Sequence, residues 1–362
     1  DQLILTMEKP IRLRNKGKYI VTCIAVVILC FVIKLLNDAG EFKSIVPHFE
    51  GECVSIPGVM GAEDITVLKN GTAVISCDDR RKTLASTPVQ GSIYAYDLQH
   101  TAPQLMDLTA DVQFEFHPHG ISVFENENGE IRLAAVNHTR SGHYIELFDL
   151  RNDALVHNRT ISDSLLVSPN DLVMINESQM YVTNDHGSST EWGKTLEEYL
   201  QLAHSNVVFY DGQDFTVAAV DLAYANGINI SRDGTVLYVA ETVGEKIALF
   251  TRNTDTNELM FQQSIDMDSG IDNIELDSEG NLWIGSHPKL LTFTRHAKNT
   301  EKLSPSQVFK VSTVENDKYA VEEIYLDTGD ELSGSSVASI YKNTLLIGSV
   351  FEDHFLLCSI AR

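Results

Sequence analysis

Side chains that carry oxygen donors or an imidazole stand at the same place in five similar segments of this chain. The segments begin EDITVL, HGISVF, NDLVMI, NGINIS and DNIELD, and the positions are Glu63–Asp64, His119, Asn170–Asp171, Asn226 and Asp272–Asn273. Carboxylate and amide oxygens are what Ca²⁺ takes in its roughly six to eight positions, whereas Mg²⁺ keeps more water and Zn²⁺ favours clustered His or Cys. One such residue is ordinarily a turn or capping residue. The same position filled five times indicates a calcium site.

These positions can meet only if the segments are arranged around one centre. Beyond residue 40 the chain reads as short β-rich runs separated by Gly, Asn and Asp turns, and the one amphipathic helix that we predict lies around Glu191–His204,. A strand–turn–strand unit occurs six times, at steps of about 46 to 62 residues,. The copies are AEDITVLKNGTAVIS, HPHGISVFENENGEIRLAAVN, SPNDLVMINESQMYVTND, YANGINISRDGTVLYVAE, GIDNIELDSEGNLWIGS and GSSVASIYKNTLLIGSV.

The period fits four-stranded blades, so we predict an all-β fold, a six-bladed β-propeller. Equivalent ends of its innermost strands would converge at one central calcium-binding channel and bring the five positions together. The alternative is an irregular β-sandwich, which does not repeat one strand–turn–strand unit six times.

The composition limits the partners of the chain. Of its 362 residues 43% are hydrophobic, so it can bury a core, and its formal net charge of −24 excludes nucleic acid as a partner,. Six of the Lys and Arg residues lie within the first 40 positions, which leaves the remainder more acidic still. An acidic body suits divalent cations, although a solvated acidic surface has the same composition.

The N-terminal region predicts a membrane anchor. Residues 19–33 carry no charge, Leu35 and Leu36 extend the apolar run past Lys34, and five bases precede it. Roughly 18 residues are at the short end of what spans a bilayer. Because no clear cleavage site follows, a retained signal-anchor fits better than a cleaved signal peptide, and a buried soluble helix is the third interpretation.

The positive-inside rule assigns an orientation to this anchor. It predicts a cytoplasmic segment 1–18, a transmembrane helix 19–36, a linker 37–50 and a propeller domain 51–362 that is extracellular or in the lumen of the secretory pathway. A cleaved signal would instead make the protein secreted. Met7 would make a natural start, so residues 1–6 are expected to be foreign to the native chain.

Sequons and cysteines agree with an oxidising compartment. A disulfide between Cys53 and Cys358 would tie the first strand of the body to the last, whereas Cys77, in the apolar run AVISC, is expected to be a buried small hydrophobe,. Five N-x-S/T sequons are predicted glycosylation sites. They are Asn70, Asn137, Asn158, Asn176 and Asn229.

Nine segments in register closely resemble the paraoxonase/arylesterase family over about residues 50–360. They read GAEDITVLKNG, HPHGIS, VNH, SPNDLV, TNDH, ANGINISRDG, IDNIELD, LWIGSHP and GSSVASIYKNTLLIGSVF. The resemblance implies hydrolysis of lactones and aryl esters with two calcium ions in the channel. A catalytic ion would be held by Glu63, Asn170, Asn226, Asp272 and Asn273. A structural ion would be held by Asp64, Asp171 and the backbone oxygen of Ile121.

The resemblance also implies a histidine dyad and the disulfide Cys53–Cys358. His119 would activate water with the help of His138, while calcium polarises the carbonyl and stabilises the oxyanion. His186 and His287 match further histidines near the pocket, and either could be structural. Ser286 stands where mammalian members carry a free cysteine.

The sequence also predicts a helix over the channel mouth and allows two alternative functions. The segment GSSTEWGKTLEEYLQLAHSN predicts a helix over the channel mouth, either as a lid or packed on the blades. Its apolar residues are Trp192, Leu196, Tyr199, Leu200 and Leu202. The expected partners are a small ester or lactone, the membrane through the anchor, and lipid or membrane proteins. Alternatives are a non-catalytic paraoxonase-like chaperone or assembly factor for membrane proteins, and another lactone or ester hydrolase on a related propeller.

Overall fold

The computed structural model describes residues 16–314 and 318–360. Residues 1–6 and most of the predicted cytoplasmic segment 1–18 therefore lie outside the described residues. The helices are α1 Lys16–Asp38, α2 Arg80–Leu84, α3 Glu191–Leu200 and α4 Leu290–Lys298. The strands, in chain order, are β1 His48–Phe49, β2 Gly51–Pro57, β3 Ala62–Val67, β4 Thr72–Cys77, β5 Ser92–Asp97, β6 Met106–Asp107, β7 Pro118–Glu125, β8 Ile131–Thr139, β9 Gly142–Arg151, β10 Ala154–Ile161, β11 Pro169–Met174, β12 Met180–Asn184, β13 Ser205–Tyr210, β14 Phe215–Leu222, β15 Ala225–Ile230, β16 Val236–Glu241, β17 Lys246–Arg252, β18 Leu259–Asp266, β19 Gly270–Leu276, β20 Leu282–His287, β21 Ser306–Val314, β22 Lys318–Asp327, β23 Ser335–Tyr341, β24 Thr344–Ser349 and β25 His354–Ile360.

Six antiparallel sheets form the blades of a propeller, as predicted. Blades 1 to 5 are β3–β6, β7–β10, β11–β14, β15–β18 and β19–β22, with β1 added at the edge of the fifth, and blade 6 is β23–β25 with β2 at its edge. The first strand of each blade is innermost. These six strands, β3, β7, β11, β15, β19 and β23, touch their neighbours in sequence around a ring.

The core lies between the blades. The apolar residues on the two faces of each blade pack against the neighbouring blades, and in the described part of the chain every one of the six blade interfaces has its own buried cluster. Between blades 2 and 3, for example, Val136 and Leu147 pack with Met180 and Val208, all of them fully buried. Inner strands such as β11 and β12 are therefore buried on both sides, whereas outer strands such as β10 and β18 are largely exposed.

The N-terminal strand closes the ring. Strand β2 pairs antiparallel with β25 and places Cys53 opposite Cys358. The two cysteines form a disulfide across a sequence separation of 305 residues. The predicted link between the first and last strands is confirmed, and Cys77 is buried as predicted.

Helix α1 stands outside the propeller. Its apolar stretch Gly17–Asp38 has a mean hydropathy of 2.8, long and apolar enough to cross a membrane, and none of it is buried. The interpretation as a buried soluble helix is therefore not supported. The chain just after α1 is fixed on α4, since the backbone carbonyl of Ala39 accepts the Leu290 N–H at 3.0 Å and the Glu41 carboxylate accepts the Thr292 N–H at 2.8 Å.

The sequence predicted one helix beyond residue 40, and the described residues of that region form three. Helix α3 starts where expected and ends at Leu200, four residues early, where Gln201 adopts a left-handed cap. Helices α2 and α4 were missed. Helix α4, LLTFTRHAK, contains two Thr and lacks a side-chain N-cap. It depends on tertiary contacts, above all Phe293 stacked on His287 with ring centroids 3.7 Å apart,.

The five sequons differ in exposure. Asn70 and Asn158 are exposed, and Asn176 and Asn229 are partly buried. Asn137 conflicts with its predicted glycosylation, because it is 1% exposed and its amide is fully engaged. Its Oδ1 accepts the His117 N–H at 2.8 Å, and its Nδ2 donates to the Glu115 carbonyl at 3.0 Å. The folded protein has no room for a sugar there.

Replacing both Cys53 and Cys358 by Ser should lower the unfolding midpoint of the propeller. The chain-entropy model gives a loss of up to about 5–6 kcal/mol for a loop of this length, because the reduced chain gains freedom when unfolded. Thermal unfolding followed by circular dichroism, with and without reductant, checks this. Reductant should destabilise the wild type and leave the double variant unaffected, and equal midpoints for both proteins would contradict the prediction.

Candidate functional site

Each of the six innermost strands is irregular at its first residues. The ladder to the second strand of the blade slips between Ala62 and Asp64, and equivalent slips occur in β7, β11, β15, β19 and β23. A bulge turns a side chain out of the regular alternation. The slips fall at the positions of the sequence repeat that hold the candidate ligands and His119. Successive residues such as Glu63 and Asp64 therefore both lie near the axis of the propeller.

Two glycines explain how closely the inner strands approach there. A Cβ on Gly120 would lie 2.3 Å from Asp171 Oδ1, and a Cβ on Gly227 would lie 2.4 Å from the carbonyl oxygen of Asp272. Any side chain would force neighbouring strands apart. The Gly in HPHG and in ANG therefore allows the ring to be narrow enough for polar groups from different blades to meet.

Glu63 connects three other blades at the centre of this ring. Asn273 Nδ2 donates to both the backbone carbonyl and Oε1 of Glu63, at 3.0 Å each. Ser336 Oγ donates to the same carbonyl at 2.6 Å. His119 Nε2 lies 3.3 Å from Glu63 Oε1. The sixth blade, which has no acid or amide in the repeat position, thus contributes a serine hydroxyl.

The predicted metal-site residues lie in two layers. Four of them line a cavity of about 280 Å³ beside His119, namely Glu63, Asn170, Asn226 and Asp272. Asn273 does not line this cavity but hydrogen-bonds Glu63, and we assign these five residues to the upper layer. Asp64 and Asp171 do not reach the cavity and are buried within the ring, where their carboxylates accept the backbone N–H of Ile121 at 2.7 Å and Ile228 at 2.9 Å.

Four oxygens of the upper layer are buried without a hydrogen-bond partner. They are Glu63 Oε2, Asn170 Oδ1, Asn226 Oδ1 and Asn273 Oδ1. The asparagines are held by their nitrogens: Asn170 Nδ2 donates to Asp185 Oδ2 at 3.3 Å, and Asn226 Nδ2 donates to Thr242 Oγ1 at 3.0 Å. Unpartnered buried oxygens are unfavourable unless something binds them. A hard cation fits this donor set.

Asparagine is essential to such a site. In residues 16–314 and 318–360, no three His, Cys, Asp or Glu side chains form a metal-binding cluster on their own. A cation in the channel would depend on amide oxygens together with the carboxylates. This donor chemistry disfavours zinc and favours a cation that prefers oxygen.

The buried acids carry more negative charge than the ring balances. Burial, and then repulsion by Asp171, raises the pKa of Asp64 well above its usual range, and burial likewise raises the pKa of Asp171. Burial alone would raise the pKa of Glu63 too, but its electrostatic interaction and hydrogen bond with His119, together with Arg80, outweigh burial and lower that pKa to about 2. Excess negative charge in a buried layer indicates a missing positive partner.

A chain of three histidines leads away from Glu63. His119 Nδ1 lies 2.8 Å from His138 Nε2, and His138 Nδ1 lies 2.8 Å from His143 Nδ1. Burial, then the cationic neighbours, lowers the pKa of His138 well below its usual range. The structure thus brings the predicted dyad together and extends it. Sequence reasoning missed His143, whose only signal was its place across the β8–β9 hairpin, opposite His138.

The two further histidines have supporting positions. His287 lines the cavity, and its Nε2 lies 2.9 Å from Asp272 Oδ2, which fixes that carboxylate. His186 does not line the cavity and bridges Asp185, at 2.6 Å, to Glu198 of α3, at 3.1 Å. Burial would lower the pKa of His186, but these two carboxylates raise it to about 9. His186 therefore holds α3 on its blade as an ion pair.

Helices form the outer wall of the cavity. Leu35 and Ala39 come from the end of α1 and the residue after it, Tyr199 from α3, and Leu290 and Phe293 from α4. The predicted lid position of α3 is thus occupied by its last turn, whereas Trp192 at its start is 71% exposed and lies outside the cavity.

Ser286 is not a cavity residue. It is fully buried, and its hydroxyl lies 2.6 Å from the Ser269 hydroxyl inside blade 5. The serine in place of the family's free cysteine therefore belongs to a structural network.

The arylesterase family matches residues 48–360 of this chain. The chain is 35% identical to human serum paraoxonase/arylesterase 1 over 310 residues, which cover 83% of this chain and 86% of that protein. It is 33% identical to human serum paraoxonase/arylesterase 2 over 327 residues, covering 88% and 90%.

Solved structures with little sequence identity share the fold. A luciferin-regenerating enzyme is similar with a TM-score of 0.54 at 11% identity, covering 85% of this chain and 95% of that one. Regucalcin from Agrobacterium tumefaciens, a calcium-binding protein, is similar with a TM-score of 0.50 at 14% identity, covering 88% and 96%. These likenesses bear on the propeller architecture alone.

Adding Ca²⁺ to the cation-stripped protein should raise its unfolding midpoint, because the ion binds oxygens that only the folded ring brings together. At a hundredfold excess over the Kd the gain is about 2.7 kcal/mol. The Asn226→Ala variant should lose a large part of the shift.

Asn184→Ala is the matched control, since this buried asparagine already uses its amide, with Oδ1 accepting the Ser168 N–H at 3.0 Å. It should be less stable and still respond fully to Ca²⁺. A full response of Asn226→Ala would remove that residue from the cation site.

Proposed function

The chain belongs to the arylesterase family and is therefore an ester or lactone hydrolase, and we propose that it hydrolyses lactones and aryl esters with calcium bound in its channel. The observation that carries the proposal is the set of four unpartnered buried oxygens beside a histidine-lined cavity. It combines a place for a hard cation with a base that reaches the same space.

Calcium in the upper layer would be held by Glu63, Asn170, Asn226, Asp272 and Asn273. When bound there, the ion supplies Lewis-acid polarisation of the carbonyl and charge stabilisation for the oxyanion. A second, structural ion would be held by Asp64, Asp171 and the backbone oxygen of Ile121. His287 orients the Asp272 carboxylate from 2.9 Å, and the Thr242 hydroxyl fixes the Asn226 amide from 3.0 Å.

His119 is the general base of this proposal. Its Nε2 faces the cavity beside Glu63 and takes the proton of the attacking water, while its Nδ1–H donates to His138 Nε2 at 2.8 Å,. His138 in turn donates from Nδ1 to His143 at 2.8 Å. When His138 and His143 are both neutral, these two hydrogen bonds fix the tautomer of all three histidines. His119 Nε2 is then free to accept a proton.

The placement of α1 fits a membrane-anchored enzyme. We propose that residues 19–36 cross the bilayer, with segment 1–18 in the cytoplasm, a linker 37–50 and the propeller 51–362 outside or in a lumen of the secretory pathway. Leu35 and Ala39 line the cavity, so the end of the anchor helix is also part of the substrate wall. A small ester or lactone is the proposed substrate.

Asp272→Ala and Asn226→Ala should each lower lactone and phenyl acetate turnover by a factor of roughly 100 or more, because each removes an oxygen from the proposed site. Initial rates of the full-length protein in detergent, with Ca²⁺ and with EGTA, check this. EGTA should abolish wild-type activity.

Ser286→Ala is the control, since it removes a buried hydroxyl outside the cavity and should keep the greater part of the activity. Full activity of Asp272→Ala would overturn the catalytic-calcium assignment. A folded, calcium-loaded wild type without turnover on any ester or lactone would favour the membrane-protein assembly role.

His119→Gln should lower lactone kcat by about 100- to 10,000-fold while calcium still stabilises the fold, because it removes the base and keeps the cation ligands. Turnover measured beside the calcium-dependent unfolding midpoint separates these two effects. Unchanged kcat would remove His119 and His138 from the mechanism and leave the metal assignment intact.

A further inference from the structure

A partly buried arginine in the cavity wall has two side-chain nitrogens without a hydrogen-bond partner. Arg80 lines the cavity, its side chain is 18% exposed, and its Nε and Nη2 are buried without a partner among the described residues. Its Nη2 lies 4.0 Å from Glu63 Oε2, which is too far for a hydrogen bond,. Arg80 is thus paired with Glu63 by charge alone, and its two buried nitrogens lack the hydrogen-bond acceptors that such donors normally have,. The cavity therefore has a place for an acceptor that the chain does not supply.

The neighbouring arginine in the same helix makes hydrogen bonds through both of its terminal nitrogens, although its Nε is also without a partner among the described residues. Arg81 Nη1 donates to the Phe351 carbonyl at 2.7 Å, and its Nη2 lies 2.9 Å from His296 Nε2 and 3.7 Å from Glu352. The two adjacent arginines thus differ at Nη2, which is hydrogen-bonded in Arg81 and unpartnered in Arg80. Arg80 lines the cavity and Arg81 does not.

Arg80 is the one arginine or lysine among the described residues that line the cavity. Glu198 is paired with His186 at 3.1 Å, and Asp272 with His287 at 2.9 Å. With a divalent cation drawing on Glu63 and Asp272, the guanidinium is the remaining positive group in the wall. Helix α4 contributes no charged residue to the wall: Leu290, Leu291 and Phe293 are apolar, and Thr294 is uncharged. An anionic group of a ligand in this cavity could therefore pair with Arg80.

We propose that Arg80 binds a carboxylate of the substrate, so that the enzyme prefers lactones and esters that carry a carboxylate close to the reacting carbonyl. A guanidinium matches a carboxylate through two parallel N–H···O bonds. Glu63 lies 4.0 Å from Arg80 and 3.3 Å from His119, so the two groups of the substrate must be only a few bonds apart. This inference rests on the proposed function and narrows its substrate class.

A pair of isosteric lactones tests the inference. The probes are 5-oxotetrahydrofuran-2-carboxylate and its neutral carboxamide, hydrolysed by the full-length, calcium-loaded protein in detergent and followed by pH-stat titration. Wild type should have the higher kcat/KM for the carboxylate. Arg80→Gln should lower that value roughly 10- to 100-fold through KM, with the carboxamide changing less than about threefold.

Two variants calibrate the result. Arg80→Lys keeps the positive charge and loses the two parallel N–H donors of the guanidinium. It should therefore retain part of the wild-type preference for the carboxylate lactone over the carboxamide. Arg151→Gln removes a cation from an exposed position, 3.1 Å from Asp149, and should leave both lactones unchanged. Equal losses for the two lactones in Arg80→Gln would overturn the inference, since Arg80 would then act by supporting Glu63. A wild type that prefers the carboxamide would overturn it as well.

Binding without turnover separates this inference from the proposed function. Calorimetry with tetrahydrofuran-2-carboxylate and its carboxamide should show binding of the carboxylate by wild type and its loss in Arg80→Gln. Carboxylate binding without hydrolysis of any lactone would support the anion site and sink the hydrolase proposal. Hydrolysis of neutral lactones without carboxylate binding would do the reverse.

Discussion

The structure is organised around negative charge gathered at the centre of a closed ring. Bulges at the starts of the inner strands turn acids and amides toward one axis, and Gly120 and Gly227 let the strands come close enough for those groups to meet. Such an arrangement repels itself unless a cation is bound. The hydrophobic clusters between the blades must supply the free energy that holds the ring closed against this repulsion.

The fold was predictable because the repeat is visible in the sequence. Six copies of one unit imply six blades, and ring closure then implies that equivalent positions become neighbours. Cys53–Cys358 followed from the same logic, since a ring has to join its ends. The positions of the donors needed no knowledge of side-chain geometry, only of which residue begins each inner strand.

The features that the sequence did not predict depend on contacts between residues far apart in the chain. Arg80 lies in a five-residue helix that no local pattern marks, and its meaning comes from the atoms around it rather than from its own segment. Helix α4 forms against His287 and the chain after α1 in spite of a sequence with weak helical signals. Asn137 fits the glycosylation pattern in the sequence, but in the structure its amide joins Glu115 and His117, and only the packing of blade 2 reveals this.

The pairing of β2 with β25 means that blade 6 cannot be completed until the end of the chain has been synthesised. Strand β2 is the first strand of blade 6 to be synthesised. Its partner β25 follows about 300 residues later, which takes roughly 15–60 s at ordinary rates of synthesis,. For that time five blades can assemble while blade 6 is incomplete and Cys53 has no partner. Until β25 is made, the unpaired edge of β2 and the Cys53 thiol are available for wrong pairing,.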